Sequence, residues 1–155
     1  MLLIEWPVLS EMLEDVESYQ SERCGFLFGF QEADSVVIYK IMPVSNTTRS
    51  DKRTNYEISA RDYLIAERLA ELAGIKLLGV YHSHLNHPAI PSELDRQFAL
   101  PNFVYIIFSV NGNRMMDIRS WQLDQKKQFE ESKIDYIPSS SKNLKMAFPN
   151  LMMLQ

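Results

Sequence analysis

The chain has 155 residues, 46% of them apolar, enough for one packed domain and too many for a disordered tail. Sixteen Lys and Arg against twenty Asp and Glu leave a net charge of -4, which argues against nucleic acid as a partner, since that binding rests on a basic face. A single cysteine, Cys24, excludes an internal disulfide and any Cys-x-x-Cys metal site.

The start, with an early proline at Pro7 and acids from Glu11 onward, does not read as a signal peptide. The apolar run around Tyr105–Phe108 is far shorter than the ~20 residues that span a bilayer. The expectation is a cytoplasmic protein with no membrane partner. Pro7 suits the first turn of a helix, and Val8, Met12, Leu13, Val16 and Tyr19 recur at helical spacing, which predicts a helix over 7–20. Gly25–Phe30 is a short apolar run bounded by glycine, a buried strand. Ser35–Val44 is rich in β-branched residues and forms a second strand. The polar stretch Asn46–Asn55, with Arg49, Lys52 and Arg53, reads as an exposed loop, and Tyr56–Ile58 as a brief strand.

Ser59 is placed to cap a second helix, whose apolar face is Tyr63, Ala66, Leu69, Ala70 and Ala73 and whose stop is Gly74. Lys76–Ser83 follows as a strand, Ser92 to about Leu100 as a short helix stopped by Pro101, and Phe103–Val110 as a strongly apolar strand. Asn111-Gly112 is a type I′ hairpin signal returning the chain into Met115–Leu123. A helical turn is expected within 125–133 and a last strand over 133–137. Residues 1–137 then form one α/β domain, a central mixed sheet flanked by helices. Residues 138–155 form a C-terminal tail whose apolar end either docks on its own domain, bridges a homodimer, or stays disordered.

The chemistry concentrates at His82-Ser83-His84, followed seven residues later by Ser92-Glu93-Leu94-Asp95. Alternate residues of a strand share a face, so both imidazoles can reach one cation. Asp95 lies on the same helical face as Ser92 and can turn back toward them. Two imidazoles and one carboxylate make a three-ligand zinc site with an open corner, the arrangement of catalytic zinc. The blander readings are a hydrogen-bonded structural histidine pair and a simple capping box at Ser92 and Asp95.

These residues resemble the signature of the JAMM (MPN+) metallopeptidases, a remote Glu followed by His-x-His, seven residues and Ser-x-x-Asp. The remote Glu precedes a Cys-Gly and an apolar strand, matched here by Glu22-Arg23-Cys24-Gly25-Phe26-Leu27-Phe28-Gly29. The resemblance covers about residues 1–137 and implies the MPN fold, one Zn2+ per chain on His82, His84 and Asp95, and catalytic roles for Glu22 and Ser92. Glu22 would be the general base that relays a proton to the leaving amine, and Ser92 a donor to the tetrahedral intermediate. Cys24, Ser83 and His87 are placed beside the site, Cys24 as a small buried residue and His87 on the substrate side.

The chain is similar to the compact bacterial branch, with Leu85 where a proline is usual and Asn86 where an acid is frequent. Only eight residues separate Asp95 from Val104, leaving little room for the insertions of the deubiquitinating members. The implied activity is hydrolysis of the amide bond after the C-terminal Gly-Gly of a ubiquitin-like, sulfur-carrier protein, its flexible tail held as an added strand; the basic loop 46–55 either orients that tail or is simply solvated. A second reading is a non-catalytic scaffold module whose structural zinc is closed by His87. A zinc deaminase would need Pro-Cys-x-x-Cys, which one cysteine excludes.

Overall fold

The computed structural model describes residues 1–139, so the tail from residue 140 lies outside the described residues. Eight strands form one mixed sheet in the order β7-β6-β5-β4-β2-β3-β1-β8, with helices on both faces. The elements are β1 (Leu2–Glu5), α1 (Trp6–Glu17), β2 (Cys24–Glu32), β3 (Ser35–Val44), α2 (Ala60–Ala73) and β4 (Lys76–Leu85), then α3 (Glu93–Phe98), β5 (Val104–Asn111), β6 (Arg114–Leu123), β7 (Phe129–Ser132) and β8 (Ile134–Ile137). The expected α/β architecture is observed.

Alternation along the strands splits the core into two layers. Leu27, Ile38, Leu78, Tyr81, Ile106 and Phe108 pack under α1 with its Val8, Leu9, Met12 and Val16. Cys24, Phe26, Phe28, Val80 and Tyr105 pack on the other face with Ala66, Ala70 and Ala73 of α2. Those three alanines let the helix sit close to the sheet. Ser59 accepts the Asp62 N–H at 3.1 Å, and Gly74 ends α2 in the left-handed region at φ 71°. A serine cap of this kind contributes about 1 kcal/mol.

Five local departures from expectation are observed. Leu2–Glu5 is a strand, paired in parallel with both β3 and β8, distant in sequence. Helix α1 ends at Glu17, so Tyr19 lies beyond it, where its ring meets the Arg23 guanidinium at 4.3 Å. The hairpin after β5 turns on Gly112 and Asn113, at φ 57° and 64°, one residue later than expected. Residues 125–133 contain no helical turn. The Asp124 carboxylate accepts the N–H groups of Lys126 and Gln128, the chain reverses, and Phe129–Ser132 pairs with β6. Tyr56–Ile58 joins no ladder. No helix among the described residues is long and apolar enough to cross a membrane.

Candidate metal centre and cleft

Strand β4 runs two residues beyond its expected end, which carries His84 as well as His82 on the ladder. Both histidines are buried and face the α2 side of the sheet, with Cys24 directly across from His82. His84 Nδ1 lies 2.8 Å from the Pro88 carbonyl oxygen. A carbonyl only accepts, so Nδ1 carries the proton and the Nε2 lone pair points away, into the site. His82 Nε2 lies 3.1 Å from His84 Nε2.

Helix α3 supplies the third group. Ser92 Oγ accepts the Asp95 N–H at 3.0 Å and the Asp95 carboxylate accepts the Ser92 N–H at 2.8 Å, a complete capping box. One carboxylate therefore both closes the cap and faces the two imidazoles. Its Oδ2 also sits 3.2 Å from His84 Nε2 and its Oδ1 3.3 Å from His82 Nε2. These three residues are the ones among those described whose ligand atoms converge within 4.8 Å. Zinc–ligand arms of ~2.0–2.1 Å in a tetrahedron subtend edges of about 3.3 Å, so the spacing suits that ion. His87 is exposed and outside this group, so the four-ligand site of the scaffold reading is not formed.

The electrostatics follow from the crowding. Burial works against the Asp95 anion, yet the two imidazoles and the Ser92 N–H outweigh it and hold its carboxyl well below the usual range. Burial lowers the His82 pKa. It also opposes the His84 cation, but hydrogen bonds to Asp95 and the Pro88 carbonyl prevail and raise that group. The set favours a bound cation, which satisfies three inward-facing lone pairs at once.

Glu22 lies just before β2 and is 4% exposed, not the solvated acid its charge alone suggests. Burial pushes its carboxyl up to about 8, with His84 pulling it down and the Asp95 charge adding to the rise. Next to it, Arg23 N–H donates to Ser83 Oγ at 2.8 Å while Ser83 N–H donates to the Arg23 carbonyl at 3.0 Å. The Arg23 guanidinium pairs with Asp15 at 3.0 Å, and Asp15 accepts the Tyr81 hydroxyl at 2.7 Å. This chain of contacts ties the Glu22 segment to both α1 and β4. Ser83 thus belongs to the scaffold behind the site and does not line the cleft. Cys24 is also buried, and burial pushes its thiol up to about 12, which makes it a poor nucleophile.

A cleft of about 970 Å³ opens over the centre, lined by Glu22, His84, Ser92 and Asp95 on its floor and by His87 at its side. Ile90, Leu94, Phe98 and Leu100 form one wall. Helix α3 buries none of its residues, and Phe98 is 75% exposed. Residues of the 48–58 segment line the cleft as well. Two residues of this region were not legible as site residues in the sequence. The Tyr56 ring stacks on His82, centroids 4.3 Å apart and planes 21° from parallel. Asn46, expected in an exposed loop, is buried at its base. Neither belongs to a spacing pattern; an aromatic and an amide at the ends of a polar stretch were the only signal.

A family model of prokaryotic homologs of the JAB domain matches residues 6–124. The chain is similar to a desampylase of Haloferax volcanii, 33% identical over 106 residues that cover 68% of this chain and 73% of that one. It is also similar to a "probable TtuB-protein conjugate cleaving protease" of Thermus thermophilus, 34% identical over 77 residues, 50% of this chain and 51% of that one. Among solved structures, that of a Desulfitobacterium hafniense protein aligns with a TM-score of 0.78 at 25% identity, covering 89% of this chain and 94% of the other. With a mixed sheet, two converging histidines and a capping aspartate all in place, the chain belongs to the prokaryotic JAB domain family.

Proposed function

We propose that the protein is a zinc-dependent isopeptidase that hydrolyses the amide bond after the C-terminal Gly-Gly of a ubiquitin-like, sulfur-carrier type protein. The observation that carries this reading is the convergence of His82 Nε2, His84 Nε2 and the Asp95 carboxylate in an open cleft that also holds buried Glu22. Relatives named for desampylation and for cleaving protein conjugates support the substrate class.

His82, His84 and Asp95 would hold the zinc, which supplies a Lewis acid able to bring the pKa of a water close to 7. Glu22 takes the proton from the attacking water and returns it to the leaving amine nitrogen. Its buried setting keeps its proton affinity near that of the groups it exchanges with, while a nearby divalent charge favours the carboxylate. The Ser92 hydroxyl oxygen is occupied by the Asp95 N–H, but its own hydrogen remains to donate to the developing oxyanion. The exposed Leu94 and Phe98 of α3 give the substrate chain an apolar surface to lie on.

The test is mass spectrometry of zinc-loaded protein incubated with ubiquitin-like carriers extended beyond Gly-Gly by a peptide or an isopeptide-linked lysine. Cleavage at the glycine carbonyl is expected, and its loss in Glu22→Gln with zinc still bound. Turnover by Glu22→Gln at the native rate would exclude the assigned base.

A further inference from the structure

Glu22 lies outside the sheet ladder, so something other than strand pairing must set its position. Its N–H donates to the Lys52 carbonyl at 2.7 Å. Its carbonyl accepts from the side chain of Asn46, at 3.0 Å. The same Asn46 amide donates to the Asn55 carbonyl at 2.9 Å, and its Oδ1 accepts the N–H groups of Thr48 at 3.2 Å and Glu57 at 3.1 Å. Two donors and two acceptors are thus all used by one side chain that is 6% exposed. Asn55 and Glu57 flank Tyr56, whose ring covers His82.

We propose that Asn46 is a positioning residue for hydrolysis: its carboxamide clamps the Glu22 backbone to the 46–57 loop and thereby sets Glu22 in the cleft and Tyr56 against His82. This inference rests on the isopeptidase reading for its kinetic consequence, but the clamp itself is a property of the chain alone. Asn46 touches neither a metal-binding atom nor the reacting groups. It acts through the backbone carbonyl of residue 22 and through the two residues beside Tyr56. An aspartate of the same shape keeps both acceptor bonds and loses both donor bonds, turning a carboxylate oxygen toward two carbonyls.

The experiment compares Asn46→Asp, Tyr56→Phe and Tyr56→Leu with the wild type. In Asn46→Asp, kcat per folded molecule falls by about 100-fold, the scale of an ångström-sized misplacement, while KM holds. Its zinc affinity changes by less than about ten-fold, below the loss typical when a ligand's own hydrogen-bond partner is removed. The second readout is proton NMR of the His82 ring in metal-free protein, where the stacked Tyr56 shields the imidazole. That shielding persists in Tyr56→Phe, disappears in Tyr56→Leu and weakens in Asn46→Asp. Should Asn46→Asp fail to fold, Asn46→Ser, which retains one donor and one acceptor, takes its place with the same expectations. A kcat within about three-fold of wild type, where a lost ångström of alignment predicts far more, overturns the proposal. So does a parallel collapse of zinc affinity and kcat, or an unmoved His82 signal. If the wild type binds zinc and cleaves no carrier, the isopeptidase reading fails, and the NMR comparison still decides whether the clamp exists.

Discussion

Ser92 and Asp95 bond each other in both directions, and the carboxylate that closes this box is the same one that faces both imidazoles. Because α3 buries no residue of its own, its start depends on that reciprocal contact. Asp95→Ala is expected to abolish zinc binding and to lower the stability of the metal-free protein by about 1 kcal/mol through the lost cap. Asp95→Asn, which keeps an acceptor for the Ser92 N–H, should recover most of the stability and little of the zinc affinity. Thermal melts with chelator, beside zinc titrations, separate the two losses.

Ser92 carries a cap and a free hydroxyl hydrogen at once. Ser92→Ala should retain zinc, since the ligand atoms belong to other residues. Its kcat should fall by about 10²–10³, the usual cost of removing one oxyanion donor, with a far smaller change in KM. Steady-state kinetics on a cleavable carrier fusion gives the answer, and an undiminished kcat removes Ser92 from the mechanism.

Glu22 makes the metal-free protein pH-sensitive in a defined direction. Its pKa rises from 4.5 to about 8 on folding, so the folded state holds the proton more tightly than the unfolded chain. Stability is full below the unfolded value and declines as pH climbs from there toward the folded value, by at most about 1.4 kcal/mol per pH unit. His82 and His84 shift in opposite directions and partly offset in the same window. The difference between the wild-type and Glu22→Gln melting curves isolates the carboxyl. In chelator, that difference should grow between pH 5 and pH 8, and a flat difference would refute the burial argument.

A local prediction concerns the turn between β2 and β3. Ala33 stands there at φ 49°, in the left-handed region where its Cβ crowds the following carbonyl. Ala33→Gly should raise stability by up to about 1 kcal/mol, the strain relieved exceeding the added freedom of the unfolded chain. Urea unfolding at constant slope is the measurement, and a loss of stability would show that the turn tolerates the alanine.

Periodicity made much of the scaffold legible. Ser35–Val44 is observed with the expected ends, and α2 starts and stops on Ser59 and Gly74 as their side chains dictate. Strand β1 was missed because its stability comes from Val36–Ile38 and Ile134–Ile137, partners far along the chain. Residues 125–133 misled because charge there resembles a solvated helix, whereas the Asp124 carboxylate, by gathering two N–H groups, makes a turn.

At the site, the spacing of His82, His84, Ser92 and Asp95 carried its own meaning, because strand alternation and the first helical turn are local rules that bring donors of known geometry to one side. The environment of Glu22 was decided elsewhere. Its raised proton affinity comes from burial beside residues sixty and more positions away, and its hold comes from Asn46 and Lys52 across a loop that reads as merely polar. Short-range pattern names the groups a chain carries; only long-range contacts, the register that sets Cys24 opposite His82 and the loop that lays Tyr56 over the ring, determine how much water those groups keep and therefore what chemistry they can perform.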